Sequence, residues 1–144
     1  DAITVSPYMG KESIEPFISN ASKGAYVLCR TSNKSSTFLQ EDIFSKVISL
    51  CESLNNQQNI GLVVGATNDD ALMEVRNSTD LPFLIPGIGA QGGDLQSVLK
   101  INEKNMDTTL INVSRGIIFS GNKDHDSIRN SAKQYLNQIR GLNG

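Results

Sequence analysis

Apolar residues gather in five short runs separated by longer, mostly polar stretches: AITV (2–5), AYVLCRT (25–31), IGLVVGA (60–66), PFLIPG (82–87) and TLINVSRGIIF (109–119). Each run is nearly continuous in Val, Ile, Leu or Phe. Parallel strands covered on an outer face read this way, whereas half-solvated strands alternate. The stretches between them carry helical periodicity. Residues 41–54 place Ile43, Phe44, Val47, Ile48, Cys51 and Leu54 on one stripe, with Glu41 and Asp42 at the positive end of the helix dipole. Residues 13–21, 67–77, 94–100 and 126–141 give four further helices. Pro16 suits a first turn, residues 67–70 are cap-type and acidic, and Gly141 is expected to stop the last helix. That helix is predicted to pack through Ile128, Ala132, Tyr135, Leu136 and Ile139.

Strand and helix therefore alternate five times, which predicts βαβ units, a parallel sheet and helices on the outside. Successive strand starts lie about 27 residues apart, so eight such units would need about 216 residues, close to the usual size of a (β/α)8 barrel. Five units are either a small open sheet or five-eighths of a barrel. No linker divides the chain; NNQQN (55–59) is a short polar loop.

Composition narrows the classes. With 144 residues, 38% hydrophobic, the chain suits one domain with a real core. Its formal net charge of -2 advertises neither nucleic-acid nor anionic-membrane binding. No apolar stretch approaches the ~20 residues of a membrane helix. Cys29 and Cys51 have no metal-ligand spacing and read as buried, reduced thiols, which fits a cytoplasmic compartment. The first residue is Asp1 rather than Met, so further sequence is expected upstream.

Chemistry in parallel α/β folds collects at the carboxyl ends of the strands. Here those ends read SPYMG (6–10), TSNKSS (31–36), GATNDD (65–70), PGIGAQGGD (86–94) and SRG (114–116). They offer hydroxyls, amides, glycines and one arginine, with no metal cluster and no Ser-His-Asp set. Gly87, Gly89 and Gly92 spell the G-x-G-x-x-G of a dinucleotide turn, but the next strand ends in NVSRG, without the acid that would hold a ribose. A glycine loop can instead aim backbone N–H groups at a single anion. The loops after the last two barrel strands form such a site together, and Arg115 can add a bidentate fork. Arg30, by strand parity, shares a face with Tyr26, Leu28 and Ser32, so it is expected inside the sheet's curl beside an acid. A bulge would redirect it. His125 reads as exposed decoration before the last helix.

DAITVSPYMG, VLCRTSN, GLVVGAT, PGIGAQGGD and INVSRGI resemble, in order and spacing, the last five strands of the orotidine 5′-phosphate decarboxylase family, in its longer-chain branch. The resemblance implies a (β/α)8 barrel of which residues 1–144 supply strands four to eight, the carboxyl-terminal portion of one domain. It implies conversion of orotidine 5′-monophosphate to UMP and CO2, without metal or organic cofactor, by a homodimer. Carried over position by position, Ser32 reads the pyrimidine edge and Asn33 orients its loop. Pro86 begins the phosphate loop and Gln91 reaches over the nucleotide. Arg115 binds the phosphate, assisted by an amide of Ser114 or Arg115. The family's catalytic Lys and Asp-x-Lys-x-x-Asp run have no counterpart in these residues, so the catalytic charges are expected on earlier strands and none in this chain. Lys34-Ser35 departs from the Pro-Gly common after T-S-N. Two other readings stay open: a barrel enzyme acting on a sugar phosphate, and a complete flavodoxin-like nucleotide-binding module.

Overall fold

The computed structural model describes residues 1–141. Five strands, β1 (Ala2–Val5), β2 (Gly24–Arg30), β3 (Ile60–Val64), β4 (Phe83–Pro86) and β5 (Thr109–Asn112), form one sheet in the order β1-β2-β3-β4-β5. Every neighbouring pair is parallel. Consecutive order with right-handed crossovers puts all the helices on one side and curls the sheet, as in part of a (β/α)8 barrel. A flavodoxin-like sheet reverses its strand order at a switch point. This sheet has no reversal, which removes that alternative.

Among the described residues, six α-helices alternate with the strands: α1 (Glu15–Ile18), α2 (Thr37–Leu54), α3 (Asp69–Ser78), α4 (Leu95–Ile101), α5 (Arg115–Ile118) and α6 (His125–Gly141). Pro16 lies in the first turn of α1, and the Asn68 side chain accepts the Ala71 N–H to cap α3. Four elements differ from the sequence reading. Helix α1 forms only Glu15–Ile18 of the expected 13–21. Helix α2 starts at Thr37, four residues early, because Phe38 and Leu39 are exposed and fall outside its apolar stripe. The last strand ends at Asn112, and the apolar residues after Arg115 coil into α5 instead. Helix α6 turns Ile128, Ser131, Tyr135 and Ile139 inward, leaving Ala132 and Leu136 exposed.

Rows of in-register residues separate the two faces of the sheet. Val27, Leu62 and Phe83 pair side by side and are wholly buried on the helix-covered face. The neighbouring row, Leu28, Val63, Leu84 and Leu110, lies on the inner face of the curl; Leu110 is 53% exposed. Tyr26 lies on that inner face over Gly61, where a Cβ would come within 2.5 Å of its ring. Both thiols are buried, and burial pushes each up to about 12. Beneath the sheet, buried Arg76 donates to Asn102 Oδ1 and to the carbonyls of Thr79 and Leu81, and stacks 3.4 Å from the Phe83 ring centroid. No helix among the described residues is long and apolar enough to cross a membrane.

Candidate active site

Parallel strands deliver their following loops to one edge, so the loops after β2, β3, β4 and β5 converge there. The β3 loop is fastened first. Gly65 N–H donates to the Arg30 carbonyl at 2.7 Å and Ala66 N–H to the Pro86 carbonyl at 2.9 Å. This brings the β2 and β4 loops to either side of residues 65–67. The approach is close enough to need glycine: a Cβ on Gly65 would lie 2.8 Å from the Ser32 nitrogen. Likewise a Cβ on Gly93 would lie 2.6 Å from Ala66 Cβ and 2.7 Å from the Gly87 oxygen.

Ser32 stands at the centre of the cluster. Its hydroxyl donates to Gln91 Oε1 at 2.7 Å, and its carbonyl accepts from Thr67 Oγ1 at 3.3 Å. One residue back, Thr31 is clamped by Gln40 of α2. The Thr31 N–H donates to Gln40 Oε1 at 2.7 Å, and Gln40 Nε2 donates to Thr31 Oγ1 at 2.8 Å. The Thr31 hydroxyl in turn donates to Asn33 Oδ1. The T-S-N turn is thus held from its own helix on one side and tied to the β4 loop on the other. Neither Gln40 nor Thr67 was singled out from the sequence; a polar residue in a first helical turn gives no sign of which loop it reaches.

The glycine loop folds on itself. Gly87, Gly89 and Gly92 all have positive φ, 103°, 70° and 94°, a conformation that glycine adopts without strain. Gly89 N–H donates to the Gly93 carbonyl, Gly92 N–H to Gly89 and Gly93 N–H to Gly87. These three amides are engaged within the loop rather than free for an anion. The loop ends at Asp94, whose carboxylate caps α4 through the Ser97 N–H at 2.8 Å. The Ser97 backbone N–H and then its side chain hold that carboxyl below its ordinary range.

Pro86, Gly87, Gln91, Ser114 and Arg115 line one small hollow of about 50 Å³, so the last two strands do end side by side. Asn112 joins them from the end of β5. Arg115 is the first residue of α5, not the last of a strand. No carboxylate among the described residues is ion-paired with it. A second hollow alongside is lined by Ser32, Asn33, Lys34, Thr67 and again Gln91. Gln91 is therefore shared by a hollow that holds Arg115 and one whose hydroxyls and amides are flanked by Lys34 and Arg30. All six residues singled out from the sequence fall on these two adjoining hollows.

Arg30 reaches only the wall of the second hollow. The β2–β3 register slips between Leu28 and Arg30, so strand parity fails at that point. The side chain turns toward α2, where its guanidinium lies 5.0 Å from the Phe44 ring centroid. It is buried, as expected, but no acid among the described residues pairs with it. His125 is exposed at the start of α6.

Comparison with known proteins places this geometry. The family model described as "Orotidine 5'-phosphate decarboxylase / HUMPS family" matches residues 1–128. An orotidine 5′-phosphate decarboxylase of Haloarcula marismortui is 46% identical over 129 residues, covering 84% of this chain and 46% of its own. A solved OMP decarboxylase of Leishmania donovani superposes with a TM-score of 0.80 at 37% identity, covering 98% of this chain and 56% of that one. The Methanocaldococcus jannaschii enzyme, 23% identical, has the same fold with a TM-score of 0.77, over 95% of this chain and 62% of its own. This chain spans about half the length of the curated relatives it matches. Its matching strands, loops and glycine turns place it in the orotidine 5′-phosphate decarboxylase / HUMPS family.

Proposed function

We propose that residues 1–144 form the phosphate- and base-binding portion of an orotidine 5′-phosphate decarboxylase, as strands four to eight of its barrel. The observation that carries this reading is the pair of hollows joined at Gln91. One holds the Arg115 guanidinium, unpaired among the described residues, beside a glycine turn; the other holds Ser32, Asn33 and Thr67 with Lys34 and Arg30 at its wall. A nucleotide has matching parts: an anionic tail for Arg115 and an uncharged polar base edge for Ser32. A sugar phosphate has no base edge for the second hollow to read.

In this assignment Arg115 and Ser114 take the phosphate, Pro86 opens the loop beside it, and Gln91 spans phosphate and base. Ser32 hydrogen-bonds the pyrimidine edge and Asn33 orders its turn. Decarboxylation breaks the bond between ring carbon and carboxylate. CO2 leaves, the electron pair stays on the ring carbon, and that pair takes up a proton to form the C–H bond of UMP. Fixed charge beside that carbon and the proton donor fall to the family's Lys and Asp residues on the three strands that complete the barrel. Grip on the remote phosphate lets binding energy fix the geometry of the reacting ring. The assembly is proposed as a homodimer in a cytoplasmic, reducing compartment. The test is turnover of orotidine 5′-monophosphate by the full-length protein. Stoichiometric CO2 and UMP are expected; turnover of a sugar phosphate with no CO2 from the nucleotide would overturn the assignment.

A further inference from the structure

The final helix reaches the anion hollow from behind through one atom. A Cβ built on Gly89, in the β4 loop, would lie 2.8 Å from the Tyr135 hydroxyl. A Cβ on Gly116, the residue after Arg115, would lie 2.7 Å from the same hydroxyl. Both are closer than real Cβ atoms approach a neighbour, so the two glycines are what admit this oxygen. It is wedged between the two segments that build the hollow, whose lining includes the neighbours of both glycines, Ile88 and Ala90 on one and Arg115 on the other. One turn earlier on α6, Ser131 Oγ donates to the Gly116 carbonyl at 2.9 Å. The Ser131 hydrogen bond fixes α6 against the Arg115 segment, and the half-buried Tyr135 ring packs against the core. Tyrosine suits a spacer: it is rigid, with two side-chain torsions, and so keeps a fixed reach.

We propose that Tyr135 is a positioning residue for phosphate binding: its hydroxyl, held in register by Ser131, sets the spacing between the glycine loop and Arg115. The proposal rests on the phosphate-binding reading of that hollow. It makes a reciprocal demand on size. Removing the hydroxyl leaves a gap that lets the walls close or wander, and adding a methyl group at Gly116 forces them apart. Making both changes removes the clash and lets the methyl group fill part of the gap, 3.4 Å from the ring carbon that bore the oxygen. Gly116 has no positive φ, so alanine there tests the space and not the backbone.

The experiment uses the full-length protein with Tyr135→Phe, Gly116→Ala and the double variant, measuring affinity for UMP, for uridine and for inorganic phosphate, together with the thermal midpoint. Each single variant is expected to weaken UMP and phosphate binding about tenfold, with uridine affinity unchanged. The double variant should recover most of that loss, the non-additivity expected of two groups in contact. Rescue of the thermal midpoint without rescue of UMP or phosphate affinity would reduce Tyr135 to a structural contact and overturn the proposal. So would equal losses for UMP and uridine, or additive losses in the double variant. A wild-type protein that binds phosphate but not UMP refutes the nucleotide reading, and the variants then judge Tyr135 on phosphate affinity alone. One that binds neither overturns both.

Discussion

At the scale of single residues, the candidate site divides its work between charge and fit. Arg115 has no protein acid to pair with among the described residues, so its guanidinium is available to an anion, and a charge-assisted pair is the strongest contact the hollow can offer. Arg115→Ala is expected to cost about 2–3 kcal/mol of UMP affinity, roughly 30- to 150-fold, with uridine affinity unaltered. Titration calorimetry of the two ligands checks this, and an unchanged UMP affinity would remove Arg115 from the site. Fit is the part that was hard to read in advance. Ser32, Gln91 and Arg115 were visible as residues at strand ends, because parallel topology dictates where loops go. Arg30 was misplaced, since the slip after Leu28 has no signature in the residue types around it. Tyr135 was legible only as a packing residue on α6. Nothing in its spacing shows that the hydroxyl ends between two glycines.

At the scale of elements, caps and buried polar clamps hold the loops in place. Helix α4 begins as the glycine loop ends, and Asp94 ties the two together. Its carboxyl is held below the ordinary range by the Ser97 N–H in the folded state only. Its contribution is therefore complete above the unfolded value and is lost as pH falls through the depressed folded value. The thermal midpoint of Asp94→Ala should accordingly lie below that of the parent at neutral pH, and the gap should close in acid below the usual aspartate range. A gap constant with pH would show that the carboxylate does not cap α4. Beneath β4, Arg76→Ala would leave the Thr79 and Leu81 carbonyls and the buried Asn102 amide short of a donor. It would also uncover Phe83. A loss of about 2–4 kcal/mol in denaturant unfolding is expected; a change below about 0.5 kcal/mol would contradict this account of the clamp. Element types were legible wherever period and length agreed, as in β1, α3 and α4. The Ile117-Ile118-Phe119 run read as strand, but Ile117 and Ile118 end α5 and Phe119 caps it, since a short apolar run looks alike in either state until its neighbours fix it.

At the scale of the molecule, the chain is a curled sheet with one face finished and one unfinished. Among the described residues, the row Leu28–Val63–Leu84–Leu110 crosses the inner face without a helix layer above it. Strands β1 and β5 are its edges, with Ile3 and Leu110 about half exposed. Unpaired apolar edges invite pairing with other chains. Residues 1–144 prepared alone should therefore self-associate and bind a hydrophobic dye, as light scattering and fluorescence would show. A dye-silent monomer would contradict the proposal that further strands close this face. The alternation of five apolar runs made the parallel sheet legible, and the inner face is where that reading stopped, because no described element covers it.

The most direct measurement of the central claim is a crystal structure of the full-length protein with UMP. The account predicts the phosphate in the hollow between Pro86–Gln91 and Ser114–Arg115, paired with the Arg115 guanidinium, and the base edge within hydrogen-bond reach of Ser32. A nucleotide bound with its phosphate away from Arg115, or with the β4 and β5 loops turned from it, would contradict the account.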